Sequence, residues 1–80
     1  KIKVNCVCPG FIETPNIQGY FDQQPDPMAA RAFATNLHPL GRMGQPEDIA
    51  KGFVFLGSDD AEWITGTSLV IDGGLLTALP

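Results

Sequence analysis

Apolar and polar positions alternate at the start of the chain. Ile2, Val4, Cys6 and Cys8 share one side of the pattern, and Lys1, Lys3, Asn5 and Val7 the other. A period of two predicts a strand buried more on one face. Pro9-Gly10 ends it in a turn, because proline fixes its φ and glycine reaches conformations closed to other residues. Phe11-Ile12-Glu13-Thr14 then places a hydroxyl and free backbone amides just past the carboxyl end of a strand, where open α/β sheets bind ligands. From Thr14 to His38 the pattern loosens, punctuated by Pro15, Pro25 and Pro27, and residues 16–24 are too polar and interrupted for a long core helix. Asp26-Pro27 predicts an N-cap with proline at N1, opening a helix through 28–34. A second helix opens at Pro46, with Glu47 and Asp48 favouring its dipole, and closes near Gly57. Ser58 caps a short turn carrying Trp63. The β-prone run Thr67–Ile71 stops at Asp72-Gly73-Gly74.

Strand, helices and strand in that order predict an α/β fold in which a βαβ crossover joins two parallel strands. Two strands are too few for a sheet, so these belong to the edge of a larger one. A chain of 80 residues buries only about 60% of its extended surface. Composition is that of a globular protein, with 44% hydrophobic and 18% charged residues. The net charge of −4 leaves no basic patch, which argues against nucleic acid and anionic membrane as partners. No apolar run approaches the roughly 18 residues of a membrane span. Lys1-Ile2-Lys3 lacks a following apolar core and cleavage site, so no signal peptide is expected and the expected location is cytoplasmic.

The chemically versatile side chains are few. Cys6 and Cys8 sit i, i+2 on one strand face, badly placed for a disulfide, and with one histidine in the chain they fall short of a zinc site. They are expected as small buried hydrophobes in a reducing compartment. His38 precedes Pro39 with no carboxylate beside it and is expected to face solvent from a loop. Arg42 is expected to make structural hydrogen bonds, and Asp72 to form a turn. Thr14 fits two roles: a ligand-binding hydroxyl, or the N-cap of a helix with Pro15 at N1.

Three blocks occur in order: 5–14 (NCVCPGFIET), 39–50 (PLGRMGQPEDIA) and 64–74 (ITGTSLVIDGG). Together they resemble the C-terminal part of a classical short-chain dehydrogenase/reductase. The resemblance implies that the chain is the C-terminal edge of a doubly wound parallel, Rossmann-like sheet. On that reading residues 1–80 are part of one NAD(P)-binding domain and do not form a complete independent domain. It further implies that the backbone at Ile12 meets the nicotinamide carboxamide of NAD or NADP. Thr14 would hydrogen-bond the carboxamide or pyrophosphate, and Pro9 and Gly10 would shape the turn. A rigid turn suits this physically, since a carboxamide needs one donor and one acceptor at fixed separation.

The resemblance stops short of the proton-transfer chemistry. Neither Gly41/Gly44 nor Gly73/Gly74 fits a dinucleotide-binding glycine loop. The family's catalytic tyrosine lies four residues before a lysine, whereas Tyr20 is followed at that spacing by Gln24. Ser58 reads as a helix cap and Ser68 as a strand residue, so no catalytic residue and no metal ligand is assigned. In the complete enzyme the resemblance implies hydride transfer between the nicotinamide and an alcohol or ketone. The tyrosine is then the general acid/base, and a serine orients the carbonyl. The residue that reads the ribose 2′ position belongs to an upstream strand, so NAD and NADP are implied equally. Tyr20, Phe21, Met28 and Phe33, in the segment between the first two blocks, are candidates for a mobile lid over the substrate or for packing that segment's helix against the domain. The alternatives are a non-catalytic nucleotide-binding relative, a structural or oligomerisation piece, and a truncated product without independent function. The isolated chain is expected to be inactive.

Assembly is expected through the Pro46–Leu56 helix and the last strand, giving a homodimer or homotetramer. Ile49, Phe53 and Leu56 form a stripe to face the sheet. Ala50, Val54 and Phe55 add apolar surface outside it, to be covered by a second copy or by upstream residues or residues 75–80 of the same subunit, and Gly52 is small enough to admit a second helix.

Overall fold

The computed structural model describes residues 1–79. Two strands form its sheet, β1 (Cys6–Pro9) and β2 (Ser68–Ile71). They run parallel with Cys6 opposite Ser68 and Pro9 opposite Ile71. Between them lie α1 (Pro15–Asp22), α2 (Pro27–Asn36), α3 (Pro46–Leu56) and a 3-10 turn (Asp59–Ala61), and a short α4 (Leu75–Ala78) follows β2. This is the predicted α/β crossover, the edge of a Rossmann-like sheet.

β1 is shorter than its alternation suggests, and Ile2 and Val4 are exposed. Before Cys6 the chain is held to residues 64–67 largely through side chains. Asn5 donates to the Ile64 carbonyl (3.1 Å) and accepts from the Thr67 N–H (3.0 Å), while the Val4 N–H donates to Thr65 Oγ1 (3.0 Å). One backbone bond, from the Gly66 N–H to the Val4 carbonyl (2.7 Å), persists beside them. Cys6 is exposed and Cys8 only partly covered, against the expectation of two buried thiols. Only α3 packs on this short sheet, which leaves the Cys6 face bare. Partial desolvation and the neighbouring Cys6 push the Cys8 thiol above its ordinary value.

The helix starts follow local chemistry. Asp26 Oδ1 accepts the Ala29 N–H (3.1 Å) ahead of Pro27, opening α2 as predicted. The stretch 16–24, too polar and interrupted for a long core helix, contains all but the first residue of the eight-residue α1. Thr14 caps it (Oγ1 to Ile17 N–H, 3.3 Å), and Phe21 is its one buried residue. A cap and a proline at N1 suffice for two turns where propensity is poor.

α3 lies on both strands, but not by the stripe expected. Gly52 and Leu56 are buried, whereas Phe53 is 59% exposed. Gly52 faces β2 so closely that a Cβ there would stand 2.3 Å from Ile71 Cδ1. Its smallness therefore admits the strand rather than a second helix. Phe53, Val54 and Phe55 are left on the outer surface.

Phe21, Ala34 and Met43 form the core, with Phe11, Ile17 and Ala30 packed against it. The Arg31 guanidinium lies over the Phe21 ring, 5.2 Å from its centre, and pairs with Glu13. The Cα radius of gyration is 15.1 Å, against about 11.6 Å for a compact chain of this length. The molecule is a thin slab with much apolar surface uncovered.

Candidate functional site

The Pro9–Thr14 turn is where all three sequence blocks meet. β1 closes on a bond from the Gly10 N–H to the Ile71 carbonyl (3.1 Å). The Cys6 and Gly10 amides both donate towards β2, so Pro9, one residue out of phase, has its missing N–H on the opposite side. Gly10 is needed for lack of a side chain rather than for an unusual backbone, since its φ is not positive. A Cβ there would fall 2.9 Å from His38 Nε2 and 3.1 Å from the Asp72 Cα.

Beyond Gly10 the turn is tied to the second block. The Gly44 N–H donates to the Phe11 carbonyl and the Glu13 N–H to the Gly44 carbonyl, both at 2.8 Å. This is a parallel bridge between Ile12 and Gly44. In such a bridge the residues flanking Ile12 take the bonds, and the N–H and C=O of Ile12 itself point the other way. Neither makes a hydrogen bond among the described residues. One donor and one acceptor are thus fixed on the same side of an extended residue. Thr14 Oγ1 accepts from the α1 N-terminus, which leaves its O–H able to donate. Capping and ligand binding are compatible for this side chain.

The Gly44 strand is itself braced. Both terminal guanidinium nitrogens of Arg42 donate to the Asp48 carboxylate (2.8 and 3.2 Å), which also accepts the Gln45 N–H (2.7 Å). The Arg42 hydrogen bond, then the Gln45 amide, pull the Asp48 carboxyl down to about 2. Arg42 is structural, as its position predicts. So is Asp72, whose carboxylate accepts the Gly74 and Leu76 N–H groups at 2.9 and 3.0 Å. The third block is fastened to the second by the Leu40 N–H on the Gly73 carbonyl (3.0 Å).

His38 departs from expectation. It is 3% exposed, not a solvent-facing loop residue. Its Nε2 accepts the Phe11 N–H (3.2 Å), its Nδ1 lies 2.8 Å from the Ala34 carbonyl, and its ring meets Phe11 edge-on. The legible signal was its spacing four residues after Ala34, where a histidine reaches the last carbonyls of a helix. Its contact with Phe11, far off in sequence, was not legible.

A cavity of about 380 Å³ lies between α1 and α2, lined by Phe11, Ile17, Tyr20, Phe21, Phe33 and Leu37 with two alanines. Of the lid candidates, Tyr20 and Phe33 line it from exposed positions and Phe21 forms its buried floor. Met28 is 83% exposed and lies outside the lining. Ile17 and Leu37 were missed, although Ala30, Phe33, Ala34 and Leu37 fall at i, i+3, i+4 and i+7. No metal-holding group of three or more His, Cys, Asp or Glu occurs among the described residues, and no helix is long and apolar enough to cross a membrane.

The sequence profile described as enoyl-(acyl carrier protein) reductase matches residues 1–76. The fold superposes on a short-chain dehydrogenase family protein from Francisella tularensis with a TM-score of 0.87 at 32% identity. The chain belongs to the short-chain dehydrogenase/reductase family. The Francisella match covers 95% of this chain and 34% of that protein. The 3-oxoacyl-[acyl-carrier-protein] reductase of Thermotoga maritima is 45% identical over 76 residues, 95% of this chain and 28% of its own length. ElxO, solved with NADP bound, matches with a TM-score of 0.78 at 38% identity, over 95% of this chain and 29% of ElxO. The chain thus spans about a third or less of the family members it matches, and it corresponds to their C-terminal portion.

Proposed function

We propose that this chain forms the nicotinamide end of the cofactor site in an NAD(P)-dependent oxidoreductase acting on an alcohol or ketone. The observation that carries the reading is Ile12, whose N–H and C=O lie on one side of the turn while its neighbours are bonded to Gly44. That pair matches a primary carboxamide in chemistry and spacing. A bound nicotinamide dinucleotide would supply the hydride acceptor or donor. Ile12 would hold the carboxamide in one orientation, the Thr14 O–H would add a donor, and Pro9 and Gly10 keep the turn rigid so that little order is lost on binding. The NADP in ElxO, a relative over 95% of this chain, supports the reading.

The cavity between α1 and α2 would take the substrate, with Tyr20, Phe21 and Phe33 as its walls. Its apolar lining favours exclusion of water from the reacting carbon. The proton-transfer groups and the pyrophosphate cradle would come from elsewhere in the enzyme's Rossmann-like domain, of which residues 1–80 are one part. The uncovered slab supports that division. A cytoplasmic location fits the free thiols of Cys6 and Cys8.

The outer face of α3, with Phe53, Val54 and Phe55 exposed, would meet a second copy across a two-fold axis, giving a homodimer or homotetramer. Titration of NADH and NADPH against the enzyme carrying this chain, with and without Thr14→Val, tests the cofactor reading. Weaker dinucleotide binding in a folded variant is expected, and equal binding would overturn the Thr14 assignment.

A further inference from the structure

His38 joins the two halves of the site. Phe11, which follows the Gly10 turn directly, and Ala34, in the last turns of α2, lie on opposite sides of its ring. Phe11 N–H is a donor only, so Nε2 must be the unprotonated nitrogen. Ala34 C=O is an acceptor only, so Nδ1 must carry the proton. The two partners fix one neutral tautomer, with every ring polar atom used. The backbone holds the residue as well, through the His38 N–H to the Thr35 carbonyl (3.1 Å) and the Gly41 N–H to the His38 carbonyl (2.8 Å). A loop histidine fastened at four points and nearly closed to solvent is an inflexible strut.

Resting on the cofactor and substrate readings above, we propose that His38 is a positioning residue that sets α2, and with it the Phe33 and Leu37 walls of the substrate cavity, at a fixed distance from the nicotinamide turn. The turn is shaped for this contact. Gly10 has no side chain where a Cβ would displace Nε2, and the Phe11 ring seals the imidazole edge-on. Without the strut, the Arg31–Glu13 pair would still hold α2 to the turn, but its register to Ile12 would loosen. Substrate would then be held at a variable distance from the hydride-bearing carbon, which is costly because transfer requires close approach.

Two conservative variants separate the arms of the strut. In His38→Gln the amide oxygen reaches the Nε2 position and can accept the Phe11 N–H, but the Ala34 carbonyl loses its donor. In His38→Asn the amide nitrogen replaces Nδ1 and keeps the α2 bond, but the Phe11 N–H loses its acceptor. The enzyme carrying this chain, labelled with 15N-histidine and free of cofactor, should show one resonance pair for the Nδ1–H tautomer that disappears in either variant. Hydrogen exchange at the Phe11 amide should be slow in wild type and His38→Gln and faster in His38→Asn. At saturating cofactor, His38→Gln should raise the alcohol KM about tenfold with dinucleotide Kd within about twofold of wild type, and His38→Asn should mainly weaken dinucleotide binding. A mixed or Nε2–H tautomer, or variants that move both parameters in parallel, would overturn the proposal. Failure of the wild type to bind either dinucleotide would instead refute the cofactor reading, and the tautomer and exchange data would still decide the strut.

Discussion

Gly52 of α3 stands so near Ile71 of β2 that a Cβ would come within 2.3 Å of the isoleucine Cδ1. The contact sets how closely the helix lies on the sheet, and therefore where the Gln45–Asp48 helix start meets the Gly44 bridge. The atom in the way is the tip of a side chain, which can rotate. Gly52→Ala should therefore be nearly neutral, with helix propensity gaining about 0.5–1 kcal/mol against the cost of moving Ile71. Gly52→Leu has no such escape and should cost about 1–3 kcal/mol. Denaturant midpoints of the two variants check the ordering.

Thr14 caps α1, and the dinucleotide contact proposed for it can be separated from the cap by substitution. Thr14→Ala should lose about 0.5–2 kcal/mol of stability with the α1 cap and also weaken dinucleotide binding. Thr14→Ser should restore both. Thr14→Asp should restore the cap alone, because an ionised carboxylate accepts the Ile17 N–H but cannot donate to a ligand and repels a pyrophosphate. Thermal unfolding and dinucleotide titration on the same samples read the two effects.

Structure is legible in the sequence where the interacting partners are close in the chain. Asp26-Pro27 and Gln45-Pro46 mark helix starts because caps and N1 prolines act within one turn. Asp72 with its glycines marks a turn for the same reason. What was missed depends on residues brought together by the fold. His38 is buried by Phe11 and Gly73, and Gly52 is small because of Ile71. The Cys6 face, which reads as core, lies bare because nothing in these residues covers it. Pro9, Gly10, Ile12 and Thr14 lie in one turn because they are neighbours in the chain. Met28, which also falls between the blocks, is exposed and outside the lining of the cavity that Ile17 and Leu37 help to form.

Asp48 gives a pH dependence of definite sign. Its folded value, about 2, lies below the ordinary carboxylate value of about 4. Its contribution is present in full above that ordinary value and is lost as pH falls towards 2. Unfolding midpoints measured from pH 6 down to 2.5 should therefore fall less steeply in Asp48→Asn than in wild type. Parallel curves would mean that the Arg42 brace is not formed in solution.

The outer face of α3 makes assembly testable. Phe55→Glu would bury an unpaired charge at a two-fold contact. Light scattering of the folded variant should report a smaller species than wild type. An unchanged mass would rule that face out as the contact between copies.

The central claim is that Ile12 holds the nicotinamide carboxamide. A crystal structure of the enzyme carrying this chain, soaked with NADH and with NADPH, tests it most directly. The carboxamide nitrogen is expected on the Ile12 carbonyl and its oxygen on the Ile12 N–H, both within about 3.2 Å, with the Pro9–Thr14 turn unmoved. A bound dinucleotide whose carboxamide lies beyond hydrogen-bond reach of both Ile12 groups would contradict it.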